Sequence, residues 1–258
     1  MAIAGELFDI YKKAKESGWF DRFRSLVMGS HRVLILGASG VGKTSLRNAL
    51  VDMISEVIAA DDRTIFPSEQ KIKLGTDFFS VIDTPGQHQY ISSSSITRLR
   101  FVEQEICGII NVVSDGYHEY DTGGRVRAQA IGPDGKTNSE FLVNHRKTEL
   151  GSIAEWGTKL RLTSNEGWLI TVINKADLWW HDKDRVIAYY KEGPYHNALT
   201  RSEMCKTAPV VLPFCATLHK FFDIAPLCGL YDLKDQADHR NNLIRVLLES
   251  IGRGNGHG

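Results

Sequence analysis

The chain is 258 residues long, with 31 basic and 31 acidic side chains that cancel to a formal net charge of zero. That balance argues against a broad basic face for nucleic acid or an anionic membrane, and no apolar run approaches the length of a bilayer span. At 42% apolar and 24% charged residues the composition is that of a globular protein with enough chain for one large domain.

Four cysteines, Cys107, Cys205, Cys215 and Cys228, lack the paired spacing of metal sites and read as buried free thiols in a reducing compartment. The start, MAIAGELFDI, carries Glu6 and Asp9 in place of a basic n-region, so it makes a poor secretory signal. The ending GRGNGHG offers no prenylation cysteine. The expectation is a cytoplasmic protein that binds no nucleic acid and does not integrate into a membrane.

In chain order, residues 5 to 28 carry helical spacing in two pieces, interrupted at Ser17-Gly18. They read as an N-terminal helical extension over 1–30. VLILG after Arg32 is a branched apolar strand that ends directly in GASGVGKT, and SLRNALVDMI continues with helical periodicity. Two further strands are expected at Ile72 to Leu74 and Phe78 to Ile82, the second running into DTPGQ. A helix should open near Ser95 with a serine cap. CGIINVV, WLITVIN and VVLPF read as buried strands. A closing helix is expected over Asp238 to Ile251, ended by Gly252, with 252–258 as a flexible tail. Apolar strands alternating with helices predict an α/β fold, a mostly parallel sheet covered on both faces.

Two segments exceed this plan. RVRAQAIGPDGKTNSEFLV, inside 116–144, shows two partly alternating runs around Gly-Pro-Asp-Gly, which predicts a hairpin before a helix beginning near His145. The second segment, 178–208, gathers Trp179, Trp180, Tyr189, Tyr190 and Tyr195. Trp179 and Trp180 read as packing around the loop at the end of WLITVIN, with a partner surface as the alternative. The main domain is thus expected over 31–251 with insertions near 116–144 and 178–208.

GASGVGKT has the G-x4-G-K-[ST] pattern between a strand and a helix. Its glycines let backbone N–H groups turn toward an anion, and the helix N-terminus adds partial positive charge. Gly37, Ser39, Gly40, Val41, Gly42, Lys43, Thr44 and Ser45 are therefore the expected phosphate-binding residues. Lys43 can reach β- and γ-phosphates, and the Thr44 hydroxyl can ligate Mg2+. Asp83 of DTPG ends the next apolar strand, where its carboxylate can hold Mg2+ through water while the Gly86 N–H meets a γ-phosphate. Asn174-Lys175-Ala176-Asp177 ends a third strand. The Asp177 carboxylate can accept two hydrogen bonds that guanine offers and adenine does not, the Asn174 amide can meet the base edge, and the Lys175 stem can pack over its face.

With GASGVGKT, DTPG and NKAD in that order, each at a strand end, the chain resembles the Ras-like GTPase superfamily over roughly residues 31 to 251. The resemblance implies a six-stranded, three-layer P-loop fold, GTP or GDP with Mg2+, and loops that change shape on hydrolysis. It implies a metal-ligating switch threonine, for which Thr64 is the first candidate and Thr76 the second. It also implies a base-contacting loop at Cys215-Ala216-Thr217, which keeps the central alanine of the family's Ser-Ala-Lys pattern. Gln87, directly after DTPG, stands where the family places the glutamine that orients the attacking water. His88 is an alternative for that role, and Arg63 a possible internal source of positive charge. The implied machinery is Lys43, Thr64 and Gln87 for catalysis, with Thr44, Thr64 and Asp83 on the metal.

Two readings from different classes follow. The first is an enzyme and switch that hydrolyses GTP, meeting an effector or regulator through its switch loops and insertions. The second is a nucleotide-loaded scaffold with little hydrolysis, which Gln87, with Arg63 if inward, separates from the first. An ATPase or kinase sharing only the phosphate loop is a third reading, and NKAD argues against it.

Overall fold

The computed structural model describes residues 9, 12–13, 15–18, 32–59, 78–81, 106–120, 124–159, 167–202, 204, 209–218, 220–225 and 229–253. Five described strands form one sheet: β1 (Arg32–Leu36), β2 (Phe79–Val81), β3 (Ile106–Val113), β4 (Trp168–Ile173) and β5 (Val210–Pro213). They lie in the order β2-β1-β3-β4-β5, and every pairing is parallel. The further strand expected at Ile72 to Leu74 falls outside the described residues, as do DTPGQ and the helix expected near Ser95.

Burial explains why these strands read as largely apolar runs without alternation. All six residues of β4 are buried, and so are seven of the eight in β3. Alternate side chains feed two separate cores. On one face Val33, Ile35, Ile110, Val112, Ile170 and Val172 meet Leu46, Leu50 and Met53 of α1 (Lys43–Ala59). The same core takes Leu243, Leu247 and Ile251 of α7 (Leu233–Arg253). On the other face Leu34, Ile109, Leu169 and Ile173 meet Phe141, Ile153 and Trp156 of α3 (Ser139–Lys159). Each such aliphatic side chain, fully buried, contributes about 1.5–3 kcal/mol. At Gly108, paired with Trp168 across β3 and β4, a Cβ would lie 2.1 Å from the indole, so the ring occupies the space over the glycine.

Three expectations change. The hairpin predicted within 116–144 is instead α2 (Arg125–Ala130), a turn, and α3. Val126 and Ala130, four residues apart, both point into the second core, and that helical spacing outweighs the alternation of the run. Gly-Pro-Asp-Gly makes the turn, with one antiparallel bridge from Ile131 to Thr137. The α3 helix begins at Ser139, six residues before His145, because the Asn138 side chain accepts from the Glu140 N–H at 3.0 Å and caps it. The closing helix α7 opens at Leu233 behind a reciprocal cap: Asp232 accepts from the Asp235 N–H and Asp235 from the Asp232 N–H. It also runs through Gly252 to Arg253.

Segment 178–208 is helical where described: α4 (Ala176–Trp179), a 3-10 turn (Trp180–Asp182), α5 (Lys183–Lys191) and α6 (Pro194–Arg201). Most of the N-terminal extension lies outside the described residues, but the expected interruption is present as a turn, with Gly18 N–H donating to Lys15 O. Among the described residues no helix is long and apolar enough to cross a membrane.

The chain passes from β1 to β2 on one side and returns to β3 on the other. Strand order therefore reverses beside β1. The crevice at the carboxyl ends of β1 and β3 is where such sheets bind ligands.

Candidate functional site

Loops from four strands meet at that crevice. The glycine loop leaves β1, residues 114–120 leave β3, Asn174-Lys175-Ala176-Asp177 leave β4, and Cys215-Ala216-Thr217 leave β5. Together they enclose a cleft of about 320 Å³, lined by Gly40, Gly42, Lys43, Thr44, Ser45, Glu119, Asn174, Lys175, Ala216 and Thr217.

Lys43 begins α1 and is 4% exposed, with its ammonium donating to the carbonyls of Gly37 at 2.9 Å and Ala38 at 2.7 Å. The strand β1 and the helix α1 thus hold a buried cation against the glycine loop. Thr44 and Ser45 are exposed at the helix N-terminus and face the cleft. Ammonium, hydroxyls and a helix N-terminus on one concave surface suit a polyanion. Gly40 has φ +80°, and a Cβ there would lie 2.6 Å from the Glu119 backbone N. The loop after β3 therefore sits directly on the glycine loop, joined by a hydrogen bond from Glu119 N–H to Gly40 O at 3.0 Å.

Asn174 ties three loops together. Its Nδ2 donates to Val41 O at 3.0 Å, its Oδ1 accepts from Ala216 N–H at 3.2 Å, and its own N–H donates to Val113 O at 2.7 Å. Its carbonyl accepts from the Trp179 indole N–H at 2.8 Å, which puts Trp179 against this loop as expected. Lys175 adopts φ +58° and donates to Tyr117 O at 2.8 Å, with its ammonium 5.5 Å from the Phe221 ring centroid. Burial pulls the Lys175 ammonium down to about 8, partly offset by Glu119 and Asp177. Asp177 is buried and accepts from the Cys215 thiol at 3.2 Å. Burial and the neighbouring Asp177 carboxylate push that thiol well above its ordinary range, which keeps it a donor. Gln236 of α7 donates to Cys215 O at 3.1 Å and anchors the loop from below.

The structure therefore brings Gly37, Ser39, Gly40, Val41, Gly42, Lys43, Thr44 and Ser45 into one neighbourhood with Asn174, Lys175, Asp177, Cys215 and Ala216. Thr64, Asp83, Gly86 and Gln87 lie outside the described residues, as do Arg63 and His88. Of the expected metal ligands, only Thr44 is described. Among the described residues no group of three or more His, Cys, Asp or Glu side chains is placed to hold a metal ion.

Sequence reasoning missed the support of the loop after β3. Glu149 of α3, 2% exposed, accepts from Ser114 N–H at 2.9 Å and Gly116 N–H at 3.4 Å. His118 Nε2 lies 2.9 Å from the same oxygen, and the Tyr190 hydroxyl donates to the other. Asp115, at φ +50°, pairs with Arg146 at 3.1 Å and Arg185 at 3.0 Å. Burial still raises the Asp115 carboxyl above its ordinary range, outweighing both arginines. Asp115-Gly116 at a strand end is a turn signal visible in the sequence; nothing local marks Glu149.

A family model described as a 50S ribosome-binding GTPase matches residues 32–147. Among solved structures, the chain is similar to one described as a crystal structure analysis of sup35 complexed with GMPPNP, with 16% identity and a TM-score of 0.30. That match covers 73% of this chain and 38% of the other. No curated protein matches the chain.

Proposed function

We propose that the chain is a P-loop GTPase that binds GTP with Mg2+ and hydrolyses it to GDP and phosphate as a nucleotide-dependent switch, a reading that the GTPase family model matching residues 32–147 supports. One observation carries the reading. Asn174 hydrogen-bonds both the glycine loop at Val41 and the β5 loop at Ala216, so the glycine loop and the loops after β4 and β5 line a single cleft, which supports a site that holds phosphate and base together.

In that cleft Lys43 and the loop amides stabilise charge on the β- and γ-phosphate oxygens. Thr44 is an exposed hydroxyl beside a buried ammonium, which fits a magnesium–polyphosphate ligand. Thr44 and Thr64, with Asp83 through water, would hold Mg2+, which when bound neutralises further phosphate charge. Gly86 meets the γ-phosphate, and Gln87 orients the water that attacks in line. The Asp177 carboxylate takes the two guanine donors, with Asn174 and the Ala216 N–H at the base edge and Lys175 along it. Effectors or regulators would meet the switch loops and the two insertions.

The test is base specificity. Asp177→Asn should move preference from GTP toward xanthosine triphosphate, because xanthine carries an oxygen where guanine carries its amine. Binding is read by titration calorimetry, alongside identification of the nucleotide that co-purifies and a GTP turnover assay. Unchanged GTP preference in Asp177→Asn would overturn the base-reading assignment.

A further inference from the structure

Two tyrosines of segment 178–208 are completely buried: Tyr190 of α5 and Tyr195 of α6 are both 0% exposed. A phenylalanine would bury the same ring, and taking a hydroxyl out of water is costly unless it finds a partner. Both hydroxyls find one, and in each case the partner governs β3 or the loop that leaves it. The Tyr195 hydroxyl accepts from the amide of Asn111, three residues before that loop begins. The Tyr190 hydroxyl donates to Glu149 Oε2.

Glu149 carries the connection onward. Its other oxygen accepts from Ser114 N–H at 2.9 Å and Gly116 N–H at 3.4 Å, and lies 2.9 Å from His118 Nε2. Three residues of the loop after β3 are thus held on one carboxylate, whose second oxygen is held from α5. The same loop then makes two contacts with the walls of the cleft. Tyr117 O accepts from the Lys175 ammonium at 2.8 Å, and Glu119 N–H donates to Gly40 O at 3.0 Å. Gly40 and Lys175 both line the cleft, one on the glycine loop and the other on the loop after β4.

Apolar filling alone would hold α5 against the sheet. A buried polar network adds a single defined arrangement, because its donors and acceptors are satisfied together in one geometry. We infer that Tyr190 is a positioning residue for the nucleotide cleft, acting through Glu149 to fix the loop that braces Gly40 and Lys175. Segment 178–208 is then a support of the binding site, reaching it through a hydroxyl and a carboxylate. This rests on the nucleotide-binding reading above and adds to it a residue outside the cleft that sets affinity. A loop fixed in advance loses less freedom when the ligand arrives.

The experiment is titration calorimetry of the full chain with GDP, alongside urea denaturation, for the wild type, Tyr190→Phe, Val186→Ala and Glu149→Gln with and without Tyr190→Phe. Tyr190→Phe keeps the ring and should weaken GDP by about threefold to tenfold, the scale of one hydrogen bond. Val186 is a fully buried apolar residue of the same helix. Val186→Ala should lower the urea midpoint but leave GDP affinity within about twofold of wild type, since the polar chain stays intact. In the Glu149→Gln background, adding Tyr190→Phe should change affinity by less than about twofold, because the two residues act in series. Wild-type affinity in Tyr190→Phe overturns the inference. So does an equal loss in Val186→Ala, which would make any loosening of α5 sufficient, or a full further loss in the Glu149→Gln background. If Glu149→Gln does not fold, the contrast between Tyr190→Phe and Val186→Ala decides alone. Failure of the wild type to bind GDP would instead bring down the guanine-nucleotide reading on which this one stands.

Discussion

The Asn174 amide donates to the carbonyl of Val41 across 3.0 Å, joining the end of β4 to the glycine loop that follows β1. The same side chain accepts from Ala216 N–H. Asn174→Ala leaves that buried carbonyl and that N–H without the partner they now have. The expected cost is about 1–3 kcal/mol of folding stability. Nucleotide affinity should fall with it, because both walls of the cleft lose their shared brace. Urea denaturation with parallel calorimetry checks this, and an unmoved midpoint would show that the brace is dispensable.

Glu149 satisfies backbone donors at Ser114 and Gly116, the Tyr190 hydroxyl and His118 in one buried position. Glu149→Ala should destabilise the protein by about 3 kcal/mol or more, since several buried donors are orphaned together. Thermal unfolding should shift down by several degrees. A shift no larger than that of an exposed control such as Glu140→Ala would show that water replaces the carboxylate.

Much of this was legible in the sequence, for identifiable reasons. ICGIINVV and WLITVI are apolar but for Asn111 and Thr171 because both faces of β3 and β4 are covered, so no periodicity was needed to find them. GASGVGKT, NKAD and the β5 loop each end a strand, and topology alone brings strand ends together. Residues 125–130 misled because Arg125, Arg127 and Gln129 alternate with apolar neighbours, while the decisive contacts of Val126 and Ala130 are tertiary. Glu149 was invisible for a related reason. Its partners lie 31 to 41 positions away, so its helix reads as an ordinary amphipathic one.

The pH dependence of folding should carry a mark of Lys175. Burial holds its ammonium at about 8, below the ordinary 10.5. Between those values the unfolded chain retains a proton that the folded chain has released, so stability from this residue rises with pH across the window. The full rise is about 3 kcal/mol, and below 8 the cost of the buried cation is complete and constant. Urea denaturation at pH 7 and pH 9.5 should show the rise in the wild type but not in Lys175→Met. Parallel profiles for the two proteins would refute it.

Hydrolysis should depend on Gln87 separately from binding. On the proposed reading, Gln87→Leu slows single-turnover GTP cleavage by at least about tenfold while leaving GTP affinity nearly unchanged. Equal cleavage rates would transfer water positioning to another group. Loss of affinity in step with the rate would mean that the side chain acts on folding of the site.

The indole of Trp168 lies where a side chain at Gly108 would have to go, 2.1 Å from an added Cβ. A side chain at 108 therefore requires a smaller residue at 168. In diverging relatives a larger residue at 108 is expected only where 168 has become small, so the two columns of an alignment should co-vary although sixty residues separate them. That coupling offers a marker of this sheet that is independent of every nucleotide-binding motif.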